Sequence, residues 1–428
     1  MQSKNYKKLQ NGSDIRGVAL EGVAGENVNL TEEAARALAL GFAGLLAKQT
    51  RKPVADLTIA IGRDPRLSGP ALLAAAAGAL SAAGVRVLDC GLASTPAMFM
   101  ATVFDEYACD GSMMITASHL PFNRNGFKYF NKDGGLNKAD IAEIIAAAEG
   151  LPVESNTTAN PIEPCKLMDT YCAHLRKLIC AGTGKDMPLQ GLKIVVDAGN
   201  GSGGFYAERV LAPLGADISA SRFLNPDGSF PNHAPNPENA AAMASISEAV
   251  LTSDSDIGLI FDTDVDRSAA VDKNGREIAR NGIVALAAAL VAESHPNSTV
   301  VTDSITSDQL TVFLEEHLGL KHLRFKRGYK NVINKAIELN AQGIDCALAI
   351  ETSGHAAIKE NFFLDDGAYL ATQIVIKTAN LAKEGKTLDS LIAALEEPQE
   401  ATELRFPISG EDFAAYADDI LDALKAWV

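Results

Sequence analysis

The chain has 428 residues, 47% hydrophobic and 21% charged, with a formal net charge of −16. One hydrophobic core stops growing near ~250–300 residues, so several domains are expected. The negative charge disfavours nucleic acid and anionic membrane as partners, and an anionic ligand would need a local cluster of Arg and Lys. No apolar run reaches the ~18–20 residues of a membrane helix, and the basic N-terminal stretch lacks a signal peptide's apolar core. Cys90, Cys109, Cys165, Cys172, Cys180 and Cys346 form no C-x-x-C pair and no zinc spacing. They read as reduced and structural, which suits a cytoplasmic compartment, or an organelle stroma if a transit segment precedes Met1.

Three segments share one design. "LTIAIGRDPRLSGPALLAAAAGAL" (57–80), "LKIVVDAGNGSGGFYAERVLAPLG" (192–215) and "STVVTDSITSDQLTVFLEEHLG" (298–319) each give an apolar run, a polar turn and a helical period. Such runs predict parallel strands covered on both faces. The fold class is α/β: three consecutive mixed α/β domains with helices on both sheet faces. A Pro/Asn/Thr-rich linker (150–164), a hairpin turn at Asn274-Gly275 and a polar stretch (396–406) set the boundaries. The domains are therefore expected at 1–155, 156–275 and 276–396, followed by an incomplete α+β domain at 397–428. That tail, one strand and one helix, is too short to close a core alone.

Four places carry candidate chemistry. Ser118 and His119 follow the buried run Met113–Ile115. A hydrolase elbow would read G-x-S-x-G, and neither Gly is present. A turn-capping serine or a phosphate carrier remains. Asp262, Asp264 and Asp266 alternate after the apolar residues 259–261 and precede Arg267. Three carboxylates so close repel unless a cation joins them, and oxygen-only ligands favour Mg²⁺. The EF-hand spacing is not met. Another strand ends in Glu351, Thr352, Ser353, Gly354 and His355, residues suited to hydroxyl groups and to proton exchange. Arg16, Arg63, Arg66, Arg267, Lys326, Arg327 and Lys330 are singly surface charges, but together they could hold phosphate.

"TASHLPFNRNGFKYF", "DTDVDR", "ETSGH" and "GRDPRLSG" together resemble the signature set of the α-D-phosphohexomutases, the phosphomannomutase/phosphoglucomutase group in particular. The motifs stand in that family's order, and the resemblance covers essentially the whole chain. It implies an isomerase that interconverts hexose 1-phosphate and hexose 6-phosphate, of mannose or glucose, through a phosphoserine and a hexose 1,6-bisphosphate. On this resemblance Ser118 carries the phosphoryl group and contacts Mg²⁺ held by Asp262, Asp264 and Asp266. Glu351 and Ser353 hold sugar hydroxyls, and Lys326 and Arg63 contact substrate. Arg16, Lys128, His119, Arg267 and His355 line the reacting centre, with Lys128 brought round to face Ser118 and Lys128 or His355 as the base. The expected partners are small sugar phosphates, with neither nucleic acid nor membrane, and the chain is a monomer or dimer.

Two residues depart from the family pattern: Leu120 stands where Asn is usual, and Thr352 where Met or Gln is common. The family's phosphate-binding loop of the fourth domain has no counterpart after residue 397, beyond a faint likeness in "RFPISGED" (405–412). The resemblance thus implies that most of that domain lies outside this chain and that turnover is reduced. Phosphoglucosamine mutase and a non-catalytic sugar-phosphate binder are the related alternatives. A haloacid-dehalogenase-type phosphatase also has D-x-D after a strand, but wants Thr or Val where Asp266 stands.

Overall fold

The computed structural model describes residues 5–150, 160–400, 402 and 413–427. The residues up to Glu396 form one compact unit, and those from Glu397 a second.

The first sheet has eight strands: β1 (Gln10–Asn11), β2 (Asp14–Val18), β3 (Thr58–Arg63), β4 (Arg86–Leu92), β5 (Gly111–Ile115), β6 (Arg124–Asn131), β7 (Gly134–Gly135) and β8 (Glu163–Pro164). Their order is β1-β2-β6-β5-β3-β4-β8, with β7 beside β6. Helices α1 (Glu32–Thr50) and α2 (Gly69–Ala82) cover one face, α3 (Thr95–Met100) lies on the other, and α4 (Lys138–Gly150) joins the first pair. The Thr31 side chain accepts from the Ala34 N–H and caps α1, with Glu32 and Glu33 in its positive first turn.

The second sheet comprises β9 (Ile194–Asp197), β10 (Ile257–Phe261), β11 (Ser268–Asp272) and β12 (Glu277–Ile278), in the order β12-β11-β10-β9. Helices α5 (Leu167–Thr183) and α6 (Ala240–Ser253) accompany it. The third comprises β13 (Thr299–Asp303), β14 (Lys321–Phe325), β15 (Cys346–Ile350) and β16 (Ala356–Ile358), in the order β14-β13-β15-β16. Its helices are α7 (Asn281–Ala292), α8 (Asp308–Val312), α9 (Tyr329–Ala341) and α10 (Gly367–Lys383).

Parallel pairing, as the buried runs predict, holds for β3 with β4 and β5, for β9 with β10, and for β13 with β14 and β15. The difference is the strand that follows each motif. β6, β11 and β16 return antiparallel to β5, β10 and β15. Their loops are too short for the crossover of about a dozen residues that a parallel return needs. Each motif is therefore the tip of a hairpin.

Helices α3, α5, α7 and α10 pack with the inner faces of all three sheets in one shared core. Outer faces are covered separately, by α1, α2 and α4, by α6, and by α9. Along β6, Phe127 and Tyr129 join the outer core while Phe130 joins the shared one. The two-residue alternation of a strand puts Lys128 on the shared side with Phe130.

The expected division at 155/156 lies outside the described residues, and that at 275/276 falls in the β11–β12 turn, where Gly275 has φ +76°. The second unit contains helix α11 (Phe413–Trp427), with Tyr416, Ile420, Leu424 and Trp427 exposed. Residues 405–412, with the expected strand, lie outside the described residues. Among the described residues, no helix is long and apolar enough to cross a membrane.

Candidate active site

The buried strand β5 delivers Thr116, whose hydroxyl donates to Asp64 Oδ2 (2.7 Å) and accepts from the Ser118 N–H (2.9 Å). Ser118 itself has φ +51°, a left-handed conformation uncommon outside glycine. Arg66 holds the loop there. Its guanidinium is fully buried and donates to the carbonyls of Ser118 (2.5 Å), Leu120 (2.6 Å), Pro121 (2.7 Å) and Arg124 (3.1 Å), and to Asp64 (3.2 Å). Burial raises the Asp64 pKa, partly offset by Arg66, to about 6. Arg66 is therefore a structural cation and not part of an anion site. Because it reads backbone carbonyls, a Leu at 120 is accommodated.

Ser118 Oγ lies 3.1 Å from Asp262 Oδ2, 3.2 Å from Arg267 Nη2 and 3.4 Å from His119 Nδ1. Arg267, 1% exposed, also binds Asp262 through Nε (3.2 Å) and Nη2 (3.0 Å). The Asp loop is pinned from three directions: the carbonyls of Asp264, Thr263 and Val265 accept from the N–H groups of Thr95, Ser202 and Gly367 at 2.8, 2.8 and 3.1 Å. Val265 has φ +69°, a costly geometry for a β-branched residue, which this pinning sustains. Gly367 is required at its position, since a Cβ there would stand 2.6 Å from the Arg267 carbonyl carbon.

Asp262, Asp264 and Asp266 are fully buried, and one oxygen from each falls within 4.8 Å of the others. Thr95 donates to Asp264 Oδ2 at 2.5 Å. Lys128 binds Asp266 and stands 3.5 Å from Asp264. Even so, Asp264 Oδ1 and Asp266 Oδ1 are buried without a hydrogen-bond partner among the described residues. Burial, and then Asp266 and Asp264, push the Asp262 pKa well up, with Arg267 opposing. Orphaned carboxylate oxygens and surplus buried negative charge, on oxygen donors alone, are what a hard divalent cation resolves. The triad could hold such a metal ion.

Facing this cluster is the β15–β16 hairpin tip, joined to it by backbone pairing of Arg267 with His355. His355 Nδ1 bonds Asp365 Oδ2 at 2.5 Å and lies 3.9 Å from Asp266. Burial lowers the His355 pKa, but Asp365 and Asp266 outweigh it and raise it to about 9. Burial likewise opposes, and Asp266 and Asp264 outweigh, so that Lys128 is held well above its ordinary value. His119 has an exposed face, yet burial, Arg267 and His355 push its pKa down. At neutral pH Lys128 and His355 thus carry a proton, and His119 is a neutral imidazole. Glu351 accepts from the Gly328 N–H (2.6 Å), and among the described residues buried Ser353 Oγ has no partner.

The chain matches the alpha/beta/alpha domains of phosphoglucomutase/phosphomannomutase in order: domain I over residues 7–151, domain II over 169–275 and domain III over 279–398. It is 30% identical to a Neisseria gonorrhoeae phosphoglucomutase over 90% of this chain and 78% of that protein. The chain belongs to the phosphoglucomutase/phosphomannomutase family.

Other relatives are a Pseudomonas putida phosphomannomutase/phosphoglucomutase (30% identical, covering 86% of this chain and 74% of that one) and a Corynebacterium jeikeium phosphoglucosamine mutase (28%, covering 97% and 88%). A solved phosphoglucomutase/phosphomannomutase family protein from Burkholderia thailandensis superposes with TM-score 0.72 at 28% identity, over 90% of this chain and 79% of that one. The Paramecium phosphoglucomutase in its open form shares the fold, with TM-score 0.68 at 16% identity, over 84% of this chain and 70% of that one.

In this family member Ser118, His119, Lys128, the three Asp, Arg267 and His355 meet in one network. Lys128 bonds to the Asp cluster, and among the described residues no hydrogen bond joins it to Ser118 Oγ. Arg16 stands beside it, donating to the Thr116 carbonyl (2.6 Å) and Asp14 (2.8 Å). Arg63 donates to the Asp64 carbonyl (3.0 Å), with no bond to the cluster among the described residues. Lys326 is exposed, over the Phe325 ring. Sequence reasoning missed Thr95, Asp365 and Tyr329. Tyr329 stacks on His355 (5.1 Å between centroids) and lies under Lys128 Nζ. The paired acids Asp365-Asp366 after an apolar run were the one available signal.

Proposed function

We propose that this chain interconverts hexose 1-phosphate and hexose 6-phosphate through a phosphate carried on Ser118 and a hexose 1,6-bisphosphate. The observation that supports this best is Ser118 Oγ, set between Asp262 and Arg267 beside carboxylates with two orphaned oxygens. Phosphoryl transfer depends on positioning and charge neutralisation more than on covalent assistance. Mg²⁺ is the reading for the cation of Asp262, Asp264, Asp266 and a Ser118 phosphate, where it would withdraw charge from the phosphoryl group.

A sugar hydroxyl attacks the Ser118 phosphate in line, the P–O bond to Ser118 breaks, the hydroxyl's proton ends on the departing Ser118 oxygen, and the bisphosphate forms. Arg267, Lys128 and Arg16 supply positive charge around the phosphoryl oxygens. Lys128 and His355 are the candidate bases of this chemistry; both hold a proton in the structure described, so each first serves as a charge partner or donor. Neutral His119 is the imidazole nearest Ser118 Oγ. Glu351 and Ser353 bind sugar hydroxyls, with Lys326 and Arg63 at the substrate's periphery. After the bisphosphate turns over, its other phosphate returns to Ser118.

The relatives' names span glucose, mannose and glucosamine phosphates, so the sugar is read no more finely than a hexose. The reading has the chain acting in the cytoplasm as a monomer or dimer on small sugar phosphates, without nucleic acid. Intact mass spectrometry after incubation with glucose 1,6-bisphosphate tests it. One phosphate on Ser118, absent from Ser118→Ala, is the expected result. No added phosphate on folded, Mg²⁺-loaded protein would sink it.

A further inference from the structure

Two cysteines remote in sequence meet where β4 passes the entry to α5. β8 pairs in parallel with β4, Leu88 opposite Glu163 and Asp89 opposite Pro164. One further step of that register puts Cys165 opposite Cys90, and the Cys165 N–H donates to the Asp89 carbonyl at 2.7 Å. Neighbouring strands stand about 4.8 Å apart, inside the roughly 4.4–6.8 Å Cα separation that a disulfide spans.

The strand is also shaped for it. Ile61 of β3 pairs with Asp89 and Gly62 with Gly91, so Cys90 is the extra residue of a bulge. Bulges re-aim side chains. Both sulfurs lie at the shared core, Cys90 buried and Cys165 half-buried, and both thiols are free. A hydrogen bond from Cys90, and the Leu167 N–H, favour the thiolate at Cys165 against burial. The accessible cysteine is thus the more easily ionised, and the buried one stands behind it.

We propose that Cys90 and Cys165 form a peroxide-sensitive modification site that closes to a reversible disulfide. The Cys165 thiolate attacks one oxygen of hydrogen peroxide, and the O–O bond breaks. Sulfenic acid forms on Cys165, and the departing hydroxide takes up a proton to become water. The Cys90 thiol then attacks that sulfur. The S–S bond forms, the S–O bond breaks, and the oxygen leaves with the Cys90 proton as a second water. Two thiols lose two electrons and two protons, and one peroxide becomes two waters. The bond ties β4, which leads to Thr95 and its contact with Asp264, to the start of α5, whose Tyr171 holds Asp366. It is independent of the mutase reading.

The test is peroxide titration of the full chain, blocking of residual thiols with N-ethylmaleimide, and mass mapping of unreduced peptides. The expected product has lost two hydrogens, links the Cys90 and Cys165 peptides, and is restored by dithiothreitol. In Cys90→Ser, dimedone should trap a sulfenic acid on Cys165; in Cys165→Ser, neither adduct nor link should form. A Cys165 sulfinic acid with Cys90 still free, a link to Cys109 instead, or no link at all would overturn the proposal. The wild-type peptide map decides this even if a variant fails to fold.

Discussion

At the serine end of the site, Ser118 Oγ has polar neighbours at 3.1, 3.2 and 3.4 Å, all from side chains that are themselves tied to others. At the end proposed to take the sugar, Ser353 Oγ is buried with no partner among the described residues, and Lys326 is exposed. The first is organised before any ligand arrives, as electrostatic work on a transferring group requires. The second leaves polar groups unpaired, and an unpaired buried hydroxyl is a cost that a ligand's hydroxyl can remove. Among the described residues, Asp264 Oδ1 and Asp266 Oδ1 break the pattern at the serine end, and they belong to the carboxylates that could bind a metal ion.

The largest effect is expected at the serine. Ser118→Ala should abolish phosphorylation and lower isomerisation by more than about a thousandfold, with little change in stability. Steady-state assay and mass spectrometry check it together. Arg66→Leu should cost about 3–5 kcal/mol in urea unfolding, because it strands Asp64 in the interior. A smaller loss would mean that the serine loop is not held as described. Asp264→Asn should weaken Mg²⁺ binding by about tenfold or more in isothermal titration, since a charged donor becomes neutral. Unchanged affinity would place the cation elsewhere.

The Asp365–His355 pair gives a pH signature. His355 is raised from its ordinary value to about 9, so its contribution is fully present below pH ~6.5 and is lost as pH rises through about 9. The melting temperatures of the wild type and Asp365→Asn should therefore differ most at the acid end of that window and converge at its alkaline end. A constant gap would show that the charge is not the source. The smallest effect belongs to Ser353→Ala: KM should rise about two- to tenfold with kcat nearly unchanged, and stability should not fall. A loss of stability would mean that this hydroxyl is satisfied in the free protein after all.

The sequence was most legible where physics is local. Apolar runs before "TASH", "DTDVDR" and "ETSGH" give the strands β5, β10 and β15, and the alternation of three Asp gives their crowding. Its cysteines illustrate the limit: spacing along the chain showed no pair, but strand register makes one of Cys90 and Cys165. Arg66 illustrates another. Beside Arg63 it read as a phosphate ligand, and burial made it a brace for backbone carbonyls.

Residue order thus set the three strand–turn–helix units, their motifs and the carboxylate cluster, because periodicity and close spacing act over a few residues. Tertiary structure decided what those motifs face: that Thr95 reaches Asp264, that Asp365 holds His355, and that Lys128 turns to the Asp triad. Two of these contacts join residues of different sheets, and the third joins residues ten apart beside one hairpin. Burial there strengthens each ionic interaction and fixes its protonation, and neither the neighbours nor the burial can be read from spacing along the chain.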